Sequence, residues 1–208
     1  MINTKLETLD QGMAEAANDE RVWEVVPEIL TATGKHFNFL NPSPDEVCVE
    51  DIARALSNLC RFTGHCVDAN DIFEASVFYS VAQHSVLVSR LVPPEHALKA
   101  LFHDAEEAYL GDVSTPLKQL IPGYKELARK ARIAVFTRLG FTLDMPPEIK
   151  NADLVALATE KRDLMTDDPR PWGVLKGITE DPARITPLSP CVAYVQFMNR
   201  FSELTAAD

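Results

Sequence analysis

The sequence predicts an all-α bundle, and three observations carry that expectation. Apolar residues recur at three- and four-residue spacing in segment after segment, Ser, Pro and Gly stand where helices would start and stop, and only one short stretch, before residue 50, has a hairpin signature. Residues 1–34 read as an N-terminal extension: acidic and small residues dominate, and a weak amphipathic pattern around Val22, Val25, Val26 and Ile29 is ended by Gly34. Residues 35–208 form the main domain. It opens with FNFLNPSPDEV, where an apolar run meets two prolines spaced by one residue, the mark of a small β-hairpin within 37–49. From 51 to 62, Ile52, Ala55, Leu56 and Leu59 share one helical stripe. After the irregular loop TGHCVDANDIFEAS, Ser80 offers an N-cap for a helix to Val92. Pro93 and Pro94 suit the first turn of the next, which is expected to run unbroken to Leu110 and stop at Gly111. Further helices are expected over 124–139, stopped by Gly140, from Pro146 and Pro147 to 165, and over 190–204. The proline-rich 166–188 between the last two reads as an ordered excursion over the surface.

The composition sets limits on function. With 46% hydrophobic and 25% charged residues, the 208-residue chain has the mixture of one globular domain. Its formal charge of −11 argues against a nucleic-acid polymer or an anionic membrane as partner, so an anionic small substrate would need a local basic pocket or a metal. No apolar run approaches the ~20 residues that span a bilayer, and the first residues lack a basic and apolar leader, so the expected location is the cytoplasm. The cysteines Cys48, Cys60, Cys66 and Cys191 form no CxxC pair and are read as reduced, with Cys60 and Cys191 in the core.

One constellation carries chemistry. His103 is followed at once by Asp104 within the apolar run from Leu101 to Ala105. A buried imidazole beside a buried carboxylate is costly to desolvate, and a divalent cation is the commonest compensation. Two further ligands are then needed, and His84 in AQHSVLV and Asp153 in NADLVAL are each a polar residue in an apolar helical setting. Two imidazoles and two carboxylates suit one divalent ion, Mn²⁺, Co²⁺, Fe²⁺ or Zn²⁺, and Mg²⁺ less naturally. Taken singly, each residue reads as a hydrogen-bonded core group; it is the set that points to a metal.

The order H…HD…D across three expected helices resembles the HD superfamily of metal-dependent phosphohydrolases, over about residues 51 to 165. More narrowly, RALSNLCRFTGHC, FYSVAQHSVLVSRLV and HALKALFHDAEEAYLGDVSTPLK resemble its 5′-deoxynucleotidase branch and phage-type relatives. The resemblance implies an HD-domain helical bundle, metal ligands at His84, His103, Asp104 and Asp153, catalytic assistance from Glu107 of HDxxE and from Asp112 of GDxxTPxK, and a phosphate-holding arginine at Arg61. The same GDxxTPxK element includes Thr115 and Lys118. Relatives are often dimers, so a homodimer is expected. Where the characterised bacterial enzymes carry a tryptophan against the sugar, this chain has Phe62.

The spacings also make physical sense alone. On a continuous helix Glu107 lies one turn beyond His103 and Asp104, and Asp112 follows a helix-ending glycine. Glu106 reads as a solvated face residue. Arg61 and His65 are four apart and form an anion clamp if the helix continues, whereas His65 belongs to a loop if it stops near Phe62. Lys118 is a further point charge for phosphate, and Thr115 before Pro116 is either a substrate contact or a helix N-cap. Three functions follow as expectations: a deoxynucleoside 5′-monophosphate phosphohydrolase, a deoxynucleoside triphosphate triphosphohydrolase that draws on Lys125, Arg129, Lys130 and Arg132 of a basic helix, or a metal-stabilised nucleotide-binding module whose chemistry has lapsed.

Overall fold

The computed structural model describes residues 26–71, 73 and 75–206. Among them are eight helices, α1 (Val49–Asn58), α2 (Val81–Leu91), α3 (Pro94–Leu101), α4 (Glu107–Leu110), α5 (Thr115–Lys118), α6 (Tyr124–Leu139), α7 (Pro147–Leu164) and α8 (Pro190–Thr205), and one two-stranded antiparallel sheet, β1 (Glu28–Leu30) with β2 (His36–Asn38). The chain is therefore mostly α-helical. No helix among the described residues is long and apolar enough to cross a membrane.

Helix α2 is the hub, packing on α1, α3, α7 and α8. Its central place follows from its composition: Val81, Ala82, Val86 and Val88 are buried, and the polar residues among them are small or bonded. Ser80 caps its N-terminus by accepting from the Gln83 amide at 3.1 Å. Ser89 donates to the Ala97 carbonyl at 2.9 Å and accepts from Arg200 Nε at 3.1 Å, so α3 and α8 are bonded to α2 as well as packed on it. The main core gathers Phe37, Ile52, Leu56, Leu101, Phe102, Phe136 and Phe197, all fully buried. Helices α7 and α8 start at their prolines, Pro147 and Pro190, and Gly140 ends α6 in a left-handed C-cap at φ 73°.

Four expectations are corrected. The hairpin forms earlier than 37–49: Ile29 pairs with Phe37, and Gly34 lies in its turn at φ 83° instead of ending a helix. The pattern at Val22 and Val25 lies outside the described residues. The hairpin is tied to α1 because Asp51 accepts from both the amide (2.8 Å) and the hydroxyl (2.6 Å) of Thr33. Helix α1 ends at Asn58, and the chain then makes a tight turn through Arg61–Gly64 in which Phe62 and Thr63 are left-handed, at φ 53° and 56°. The helix expected from Pro94 to Leu110 breaks after Leu101. There the backbone switches to three-residue bonds, and the His103 ring takes the Ala100 carbonyl, at 2.8 Å, that a continuing α-helix would give to the Asp104 amide. Finally, all four cysteines are free thiols, but Cys66 is the buried one, Cys60 is half-buried and Cys191 is exposed on the first turn of α8.

Candidate metal centre

The break after Leu101 builds the centre. Neighbouring residues on a regular helix diverge by about 100°, whereas here Asp104 Oδ2 lies 3.1 Å from the Nε2 of His103 beside it. The hub helix brings His84 to the same point, with its Nε2 3.3 Å from His103 Nε2 and 3.7 Å from Asp104 Oδ2. Helix α7 brings Asp153, whose Oδ1 is 3.2 Å from His84 Nε2 and 3.8 Å from His103 Nε2. His84, His103 and Asp153 form a group that could hold a metal ion, and Asp104 adjoins it. The fit is chemical as well as spatial. Bonds of about 2.1 Å from nitrogen or oxygen to a divalent ion place neighbouring donors roughly 3 Å apart, and because both rings turn Nδ1 to an acceptor, Glu160 for His84 and the Ala100 carbonyl for His103, the neutral rings point two Nε2 lone pairs at this one place.

The electrostatics agree. Burial alone would keep both imidazoles neutral, yet Asp104 and Asp153 hold His103 well above the usual histidine range, and Glu160 and Asp153 raise His84 despite Arg61. Burial opposes ionisation of Asp104 and Asp153, but the two histidines outweigh it and hold both carboxyls below the usual range. A cation at this point would compete with protons for both imidazoles.

Sequence reasoning missed the residue that organises this centre. Glu160, fully buried on α7, accepts from His84 Nδ1 at 2.6 Å through one oxygen and from Arg61 Nε and Nη2 at 3.2 and 2.9 Å through the other. Burial opposes its charge, but Arg61 and His84 keep it ionised. A carboxylate that accepts from Nδ1 leaves the Nε2 lone pair of His84 free for the centre. The available signal was position: Glu160 is two turns beyond Asp153 on the same helix, hence on the same face.

The remaining expected site residues divide into two groups. Arg61, Glu107, Asp112 and Lys118 gather near the centre. Arg61 is nearly buried and within electrostatic reach of Asp104 and Asp112. Glu107 is buried, receives Lys118 Nζ at 2.7 Å on Oε1, and has no hydrogen-bond partner on Oε2 among the described residues. Its pKa is pushed up to about 8 by burial and by the charges of Asp104 and Asp112, against the pull of Lys118. Burial likewise raises Asp112. The expected helical relation of Glu107 to His103 gives way to a tight turn in which the Glu107 amide donates to the Asp104 carbonyl at 3.0 Å. His65 is not part of this gathering, and Thr115 lies at its edge, lining a pocket with Glu107 and Lys118. Because α1 stops at Asn58, His65 is an exposed loop residue and forms no clamp with Arg61; Thr115 is exposed at the start of α5, with Ser114 in the capping position. Phe62 is half-buried with its ring centroid 5.3 Å from the Arg61 guanidinium. Glu106 is not a solvated residue: it is buried and paired with Arg132.

No family model matches the chain. It is 46% identical over 178 residues to a protein of Escherichia coli named as the uncharacterized protein YfdR, an alignment that covers 85% of this chain and 95% of that protein. The chain belongs to the YfdR family. A similarity of 36% over 128 residues links it to an uncharacterized protein of Rhodobacter capsulatus, across 58% of this chain and 62% of that protein. Both names are silent on activity, so the functional reading of this YfdR-family chain rests on its own site.

Proposed function

We propose that the chain is a metal-dependent phosphohydrolase of the HD type that removes the 5′-phosphate of deoxynucleoside monophosphates. The observation that carries this reading is the convergence of His84 Nε2 and His103 Nε2, 3.3 Å apart, on the carboxylates of Asp104 and Asp153, beside an arginine whose guanidinium is oriented by Glu160. These four residues would hold one divalent ion, which when bound polarises the phosphoryl group and makes water nucleophilic at neutral pH. Arg61 spends its Nε and one Nη2 hydrogen on Glu160 and has Nη1 left to grip phosphoryl oxygens. Glu107, with a raised pKa near working pH and a free Oε2, takes the proton of the attacking water. Asp112, raised by burial, would hand a proton to the leaving 5′-oxygen.

The cations of α6 favour a monophosphate over a triphosphate. Arg129 pairs with Glu126 at 2.9 Å, Lys130 reaches the Leu40 carbonyl at 2.9 Å, and Arg132 is taken by Glu106 and the His103 carbonyl. Of the four cations the triphosphate reading draws on, the Lys125 side chain alone has no hydrogen-bond or ion-pair partner among the described residues, and one lysine is a small charge for a polyphosphate.

Chelator-stripped protein incubated with Mn²⁺ or Co²⁺ and a panel of ribo- and deoxynucleoside mono- and triphosphates, with products resolved by chromatography, tests the proposal. Deoxynucleosides and inorganic phosphate from the monophosphates are expected. Tripolyphosphate from triphosphates would replace the reading with a triphosphohydrolase, and nucleotide binding without turnover with any metal would leave a lapsed binding module.

A further inference from the structure

A cavity of about 560 Å³ opens beside the Arg61–Gly64 turn, lined by Gly64, His65, Lys161, Arg170 and Trp172 among others. Its size falls within the usual range of small-molecule sites. Two segments form its walls, and sequence alone leaves the second of them without a role.

The first wall is the turn itself. Phe62 and Thr63, neither of them glycine, both adopt left-handed backbone before Gly64 does the same at φ 83°. Strain of this kind persists only where the surroundings enforce it, and it clusters at ligand sites. Its effect here is to send Arg61 inward to Glu160 while Gly64 and His65 face the cavity.

The second wall is the proline-rich excursion after α7. Buried Asp163 accepts from Arg184 Nη1 at 2.6 Å and from the Ile185 amide at 2.9 Å, and Thr159 Oγ1 accepts from the Asp181 amide at 2.8 Å. The returning limb is thus fastened to α7. On the outgoing limb, half-buried Trp172 has Lys161 Nζ 5.5 Å from its ring and Phe62 at 6.2 Å. A chain of contacts links the Glu160-bound arginine to the cavity: the Arg61 guanidinium, the Phe62 ring 5.3 Å away, and the Trp172 ring, which lines it.

We propose that this cavity receives the nucleobase of the substrate, with Trp172 as its stacking surface and Phe62 beside the sugar. The inference rests on the phosphohydrolase reading for its orientation. A nucleotide is an anion joined through a sugar to a planar aromatic ring, and the molecule offers, in that order, an anion-binding guanidinium, a small aromatic spacer and a large aromatic surface. The polar residues around Trp172 are of both signs, with Lys161 and Arg170 against Asp167 and Asp168, which suits the mixed donors and acceptors of a base edge better than a second phosphate.

The test uses the protein's own fluorescence. The sequence has two tryptophans, Trp23 and Trp172, so Trp23→Phe leaves Trp172 as the sole reporter. That protein is titrated with 2′-deoxyguanosine and 2′-deoxycytidine in the presence of inorganic phosphate, and with 2-deoxyribose 5-phosphate as the base-free control. Saturable quenching by the deoxynucleosides and none by the control is expected. In turnover, Trp172→Leu is expected to raise KM for deoxynucleoside monophosphates about tenfold, the lower part of the range for loss of one base stack, and to leave KM for deoxyribose 5-phosphate unchanged. Turnover of deoxynucleoside monophosphates without quenching by any deoxynucleoside would overturn this inference alone. Saturable quenching in a protein that turns over no nucleotide would support the base site and overturn the proposed activity. Silence in both would overturn both, because the nucleosides are offered directly.

Discussion

Glu160→Gln removes one charge from the carboxylate that links Arg61 to His84, and its consequences can be worked out from the contacts. Glu160 is fully buried and the Arg61 side chain is 11% exposed, so the guanidinium left behind is an unpaired buried charge. Breaking a buried pair from one side costs about 3–5 kcal/mol, and since the amide oxygen keeps part of the bonding to Arg61 the lower figure applies, about 3 kcal/mol. For a chain of this size that corresponds to a fall in Tm of roughly 6–12 °C. A second effect is local. If the amide oxygen serves Arg61, the amide nitrogen faces His84 Nδ1 and donates to it, which favours the tautomer with hydrogen on Nε2 and blocks the metal-facing lone pair. Metal affinity should fall by about 10- to 100-fold. The assay is thermal unfolding of the ion-free protein together with Zn²⁺ titration in competition with a chromophoric chelator. Adding Arg61→Gln to Glu160→Gln should recover part of the lost stability, because no buried charge then stands alone, but should not recover Zn²⁺ affinity. A single variant with wild-type Tm and wild-type Zn²⁺ affinity would refute the reasoning.

Three further outcomes are expected. Asp104→Ala should lose both Zn²⁺ affinity and turnover, whereas Glu107→Gln should retain the ion and lose about 10²- to 10⁴-fold in kcat; equal loss of ion in both would contradict that division of roles. The ion-free protein should be most stable at mildly acidic pH, as followed by Tm against pH. His84 and His103 are raised when folded, so their contribution is complete below the unfolded histidine value of about 6.5 and fades as pH climbs through their folded values; Asp104 and Asp153 are lowered, so theirs fades as pH falls below about 4. Zn²⁺ binding at pH 7 should therefore release protons, seen as a buffer-dependent binding enthalpy, and a release of zero would show that the imidazoles were already neutral. Asp163→Ala should speed amide exchange across 166–188, because Arg184 and the Ile185 amide lose their shared acceptor, while Zn²⁺ affinity stays as it was.

Helices with strong punctuation were legible in the sequence. Gly140 ends α6, Pro147 opens α7 and Ser80 caps α2, and each signal is local, so chain neighbours suffice to read it. The break after Leu101 was not legible, because it depends on the His103 ring taking the Ala100 carbonyl, a competition between side chain and backbone that apolar spacing does not encode. The hairpin was sensed but placed too late: its prolines follow β2 and shape the short turn at Pro44–Glu46, whereas pairing is set by Ile29 opposite Phe37. In the candidate centre, His84, His103 and Asp153 stood out as polar residues in apolar helices and do converge. Glu160 escaped notice and Glu106 was read as solvated because each sits among other charged residues, in TEKRD and HDAEE, and only the tertiary partners Arg61 and Arg132 show that they are buried. Burial of a charge is decided by what another segment brings to it.

The most direct measurement is the rate of inorganic phosphate release from a deoxynucleoside 5′-monophosphate as Mn²⁺ or Co²⁺ is added stepwise to chelator-stripped protein. The rate should start at background, rise in proportion to added ion and stop rising at one ion per chain, with Asp153→Ala flat throughout. Full release before any ion is added, or a centre filled to one ion per chain with no release from any nucleotide, would contradict a metal-dependent phosphohydrolase built on His84, His103, Asp104 and Asp153.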